Sequence, residues 1–100
     1  MKTTLKEENN ELVMYFDGRL DTAASPVVEK EMHPLMESDD KNIVLDCSKL
    51  DYISSSGLRL FLSVLKHAKA KGNHVYIVGV SDDIRNVFAM TGFINLFEFK

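Results

Sequence analysis

DYISSSGLRLFLSVLKHAKAKG, residues 51–72, decides how this chain is read. Leu58, Phe61, Leu62 and Leu65 recur at three- and four-residue spacing, which predicts a helix with one apolar face, ending near Lys71-Gly72. The run just before it, KNIVLDCS (41–48), is short and apolar and predicts a buried central strand. KLDYI (49–53) then reads as a loop whose Leu50 and Ile53 turn inward. Ser54, Ser55 and Ser56 fall at the strand-to-helix junction. A helix start leaves backbone N–H groups unpaired and carries about half a unit of positive charge. One serine there serves as the N-cap, worth about 0.5–2 kcal/mol against alanine, and the other two are then small polar loop residues. The same donors also favour a phosphate, so a serine on this turn equally suits a modifiable switch. Gly57, without a Cβ, leaves room for another backbone or a phosphate to approach. Spacing alone leaves both readings open.

Working outward, ELVMYFDG (11–18) predicts a strand, and KTTLKEE (2–8) a more polar one before it, joined by a hairpin turn at Asn9–Glu11. Residues 21–38 predict a helix capped by Thr22 or Ser25, with Val28, Met32, Leu35 and Met36 inward and a bend at Pro34. HVYIVGV (74–80) predicts another buried strand. Ser81-Asp82-Asp83 starts a helix with Ile84, Val87 and Phe88 on its apolar stripe, and INLFEFK (94–100) a short final strand. The order ββαβαβαβ implies one α/β domain over residues 1–100, a mixed sheet with parallel central strands and helices packed on it.

Composition narrows the function. The 100 residues are 45% hydrophobic and 27% charged, ordinary for a globular domain. A net charge of -3 argues against non-specific binding to nucleic acid or an anionic membrane. No apolar run approaches the about 20 residues that span a bilayer, and Met1–Glu8 lacks the apolar stretch of a signal peptide. With the single Cys47, this places the protein in a reducing cytoplasm. YISSSGL has no Gly-x-Ser-x-Gly elbow, and no Gly-x4-Gly-Lys phosphate loop is present. His67 lies about three turns beyond the serines, too far to act as their base, and His33 neighbours Pro34 at the surface of a helix. Asp82 and Asp83 fit helix-start electrostatics rather than a metal site. Met14, Met32, Met36 and Met90 read as core or its edges. No catalytic residue, metal or organic cofactor is expected.

IVLDCSKLDYISSSGLRLFLSVLKHAKAKG resembles the core of the STAS domain, the family that includes bacterial anti-sigma factor antagonists. Asp46-Cys47-Ser48 is similar to its Asp-x-Ser strand end, and Tyr52–Leu58 to its aromatic or apolar pair followed by Asp-Ser-Ser-Gly. FDGRLDTAAS resembles its Gly-x-Leu-Asp turn, and VYIVGVSDDIRNVFAMTGFINLFEF its closing strand, helix and Thr-Gly-aromatic ending. The resemblance implies that Ser55 is phosphorylated by a partner kinase. It also implies a partner-binding face formed by Asp21, Thr22, Ser54, Ser56, Gly57, Leu58 and Arg59. In such antagonists the unmodified domain binds an anti-sigma factor that is itself the serine kinase, and so frees a sigma factor. Phosphorylation breaks the complex and a serine phosphatase resets it. The protein would be a non-enzymatic switch, monomeric when free. Ser54 departs from the family's usual acidic residue at that position. A non-phosphorylated scaffold of the same fold in a signalling complex, and a small-molecule or lipid carrier with a pocket beside the sheet, are the alternatives.

Overall fold

The computed structural model describes all 100 residues. Strands β1 (Lys2–Glu8) and β2 (Glu11–Leu20) form a hairpin, followed by two short helices, α1 (Ser25–Glu31) and α2 (His33–Glu37). Then come β3 (Asn42–Ile53), α3 (Ser55–Ala70), β4 (Val75–Val78), α4 (Asp82–Met90), a 3-10 turn at Phe93–Asn95 and β5 (Glu98–Phe99). The sheet order is β1-β2-β3-β4-β5; only β1 is antiparallel to its neighbour, and β2 to β5 run parallel.

The hairpin turn is two residues long. Asn9 and Asn10 both have positive φ (51° and 63°), and Glu11 pairs with Glu8 inside the strands. This backbone twist matches that of the strands, and asparagine tolerates it.

The helices cover one face of the sheet. Met14 and Phe16 of β2, Ile43, Leu45 and Cys47 of β3, and Val75 and Ile77 of β4 are buried in one cluster with the helices. The alternating residues Tyr15, Val44, Asp46, Tyr76 and Val78 point to the uncovered face and keep partial exposure. Phe16, Phe61 and Phe88 form an aromatic column through the core, with ring centroids 5.1 and 6.2 Å apart.

Four local expectations are corrected. KLDYI is not a loop: β3 runs unbroken to Ile53, and two bulges give it one extra residue each against β2. The bulges space the inward residues Cys47, Leu50 and Ile53 three apart, which hides the strand period of two. The 21–38 helix is broken at Met32, because Pro34 near the start of α2 has no N–H to continue the ladder. Neither Thr22 nor Ser25 caps α1. The Asp21 carboxylate instead accepts from Ala24 N at 2.9 Å. Met90, expected near the core, is 86% exposed, since α4 spends its inward stripe on Ile84 and Phe88.

Candidate functional site

Leu20 and Ile53 are paired, buried strand ends, so β2 and β3 stop side by side. The Leu20 carbonyl accepts from Ser54 N at 2.9 Å, which ties the start of α3 to the end of β2. Ser54 has extended backbone (φ −86°, ψ 171°), and its Oγ accepts from Gly57 N at 3.1 Å. Ser54 is therefore the N-cap of α3. A serine suits this position because its short hydroxyl reaches the third residue of the helix.

Gly57 is buried, and the neighbours it meets are side chains of the core. A Cβ there would lie 2.8 Å from Leu20 Cγ and 2.9 Å from Ile53 Cγ1. The missing side chain lets the first turn of α3 sit directly on the two strand ends. Leu58, 2% exposed, points into the same core. Both residues hold the serine turn from beneath and present no side chain to a partner.

Hydroxyl groups join the starts of α1 and α3. Ser54 Oγ and Ser56 Oγ are 3.0 Å apart, Ser25 Oγ lies 3.2 Å from Ser56 Oγ, and Ser25 Oγ donates to the Asp21 carbonyl at 2.9 Å. Ser25 and Ser54 are each only 7% exposed, so these bonds satisfy polar groups that water does not reach freely. Ser55 differs: it is exposed, and its hydroxyl takes no part in this network. Thr22 and Arg59 are exposed as well, and Asp21 is partly so. The Ser25 link was hidden in the sequence, where 31 residues separate it from Ser56. Hidden too was the stacking of the Arg19 guanidinium over the Tyr52 ring, 4.4 Å from its centroid, at the strand ends that lead into the turn.

Asp46-Cys47-Ser48 forms a brace. Asp46 Oδ1 accepts from Ser48 N at 3.0 Å and from Ser48 Oγ, fixing the first β3 bulge. Gly79, with φ +74°, passes so close that a Cβ would lie 2.8 Å from Ser48 Oγ, so only glycine fits both the turn and the space. Burial, and after it the neighbouring Asp46 carboxylate, push the Cys47 thiol upward. That holds Cys47 in the unreactive thiol form.

The histidines engage other groups. His67 Nδ1 lies 2.8 Å from the Ser63 carbonyl, and His74 Nδ1 lies 2.7 Å from Glu98 Oε2. Of two surface cavities, one of about 350 Å³ sits on the uncovered sheet face between Lys6, Tyr15 and Asp46, and the other borders His74 and Glu98. Neither is lined by a serine of the turn. No helix is long and apolar enough to cross a membrane.

The family model for the STAS domain matches residues 2–100. BtrV of Bordetella bronchiseptica is 30% identical over 97 residues, covering 97% of this chain and 84% of that protein. An anti-sigma-B factor antagonist of Staphylococcus aureus is 33% identical over 79 residues, covering 79% of this chain and 73% of the relative. Among solved structures, the Bacillus cell fate determinant SpoIIAA in its phosphorylated form superposes with a TM-score of 0.74. It is 19% identical, with 99% of this chain and 91% of that one covered, a likeness of fold.

Proposed function

This chain belongs to the STAS domain family, where its relatives are anti-sigma factor antagonists, regulators rather than catalysts, and from that premise we propose a binding switch controlled by phosphorylation of Ser55. Unmodified, the face around Ser55 binds an anti-sigma factor that is also a serine kinase, and a sigma factor is released. Phosphorylated, the face is rejected, and a separate phosphatase restores it. One observation carries the choice of Ser55: of the three adjacent serines, its hydroxyl alone is exposed and free of the hydrogen-bond network that holds Ser54 and Ser56. A kinase reaches it without unfolding the turn. No base is aligned on it, so the kinase supplies nucleotide, metal and base.

A phosphate brings about -1.5 to -2 charge to this face. Asp21 stands on the neighbouring turn, where its main-chain carbonyl is bonded to Ser25. The hydroxyl network and the Gly57 packing keep α3 in place, so modification changes surface charge while the backbone stays put.

Phosphopeptide mapping after incubation with Mg-ATP in lysate of the host tests this directly, with Ser55→Ala as the control. Phosphate is expected on Ser55. Phosphate on Ser54 or Ser56 would move the site, and none, in a lysate that modifies other proteins, would favour the passive scaffold. By calorimetry with the kinase so identified, Ser55→Asp should weaken the complex and Ser55→Ala should preserve it. Equal affinity for Ser55→Asp and the wild type refutes the switch.

A further inference from the structure

Helix α3 is continuous from Ser55 to Ala70, so Arg59 stands one turn beyond Ser55 at the i+4 position. Side chains so spaced share a face, with Cβ atoms about 5–6 Å apart. Both residues are exposed, while Gly57, Leu58, Leu60 and Phe61 between and beyond them are buried. Arg59 has no acidic partner: the ion pairs of the chain use Lys41, Lys71 and His74. It stacks on no ring either, unlike Arg19, which the Tyr52 ring holds, and Arg85, which lies over Phe99. Arg59 is thus an unengaged guanidinium within reach of the one unengaged hydroxyl of the turn.

We propose that Arg59 is the intramolecular receptor for the phosphate on Ser55. This rests on Ser55 being the modified residue. A guanidinium presents paired N–H donors in a plane and binds phosphate oxygens two at a time, which an ammonium cannot do. The acid-to-base order along the helix, anion first and cation four residues later, is the favourable one. Phosphorylation then has two effects on the binding face. It adds negative charge, and it withdraws the Arg59 cation from any acidic group of a partner. At the paired strand ends that lead into the turns, Asp21 and Asp51 oppose the phosphate, and Arg19 is held by Tyr52.

The test needs neither kinase nor partner. Phosphoserine is installed at position 55 during synthesis of the full chain, and its second ionisation, ordinarily near pKa about 6, is followed by 31P NMR. Arg59 favours the dianion, so the wild-type phosphate should titrate about 0.4 unit lower than that of Arg59→Gln, with Arg59→Lys between. Identical titration in wild type and Arg59→Gln overturns the proposal, as does Arg59→Lys matching the wild type, since that leaves only a point charge and no bidentate grip. Arg59 is exposed, so these variants should keep the fold, which the amide spectrum verifies. If lysate mapping fails to find phosphate on Ser55 while this shift is present, the modification reading fails and the Arg59 pairing stands. The converse result separates them the other way.

Discussion

Gly57→Ala probes how the serine turn is held. The added methyl would lie 2.8 Å and 3.0 Å from two atoms of Leu20 and 2.9 Å from Ile53 Cγ1. Carbon atoms rest about 3.5–4.0 Å apart, so roughly 1 Å must open between α3 and the strand ends. Leu20 and Ile53 are 0% and 3% exposed, so neither can swing into solvent. Overpacking of this kind costs about 1–3 kcal/mol. Alanine is better than glycine in a helix by about 0.8–1.0 kcal/mol, which offsets part of it. Gly57 is an ordinary helical residue, so no relief or strain of φ enters. Three contacts at or below 3.0 Å put the overpacking in the upper half of that range, so the net expectation is a loss of about 1–2 kcal/mol, or about 4–16 °C in Tm for a domain of this size. Urea unfolding should show a lower midpoint with an unchanged m-value. A variant as stable as the wild type, or more stable, would refute the claim that this glycine exists for close packing. It would return Gly57 to the role of leaving space at the surface.

Other substitutions separate charge from structure at the same turn. Ser54→Ala should cost about 0.5–2 kcal/mol through loss of the cap to Gly57 N, and Ser54→Asp should keep most of that stability; thermal unfolding of the pair checks it. Asp21→Ala should lose about 1 kcal/mol with its acceptor for Ala24 N, whereas Asp21→Asn retains the acceptor and should melt close to wild type. Burial raises the Cys47 thiol above its unfolded value of about 8.5, so its contribution to stability is complete below that pH. Above it the contribution falls by up to about 1.4 kcal/mol per pH unit, and urea midpoints between pH 8 and 10 should drop more steeply for wild type than for Cys47→Ala. At the hairpin, Asn10→Val should destabilise by about 1–2 kcal/mol because φ is +63°, while Asn10→Gly should be neutral or slightly stabilising by the same assay.

The sequence by itself determined the order of the strands along the chain, the parallel central strands and the helix after the serines. Those rest on local period: Leu58, Phe61 and Leu65 share a buried face at helical spacing, and Ile43 and Leu45 share one at strand spacing, with Val44 turned to the other side. It also determined that a serine caps α3, because capping is a contact across three residues. Local pattern failed where distant chain imposed the geometry. KLDYI lacks the strand period, and only pairing with β2, with two bulges, makes it a strand. Neither Thr22 nor Ser25 caps α1: the Asp21 carboxylate takes Ala24 N in the turn before the helix, and the Ser25 hydroxyl is drawn to Ser56 across the interface with α3. Gly57 and Leu58 carry the family's motif in the sequence, yet tertiary packing turns them inward. The exposure of the Ser55 hydroxyl beside two engaged neighbours was in part a tertiary outcome. Ser54 is engaged locally by Gly57 N and Ser56, whereas the bond from Ser25 to Ser56 comes from the start of α1, and no spacing rule within SSS contains that link.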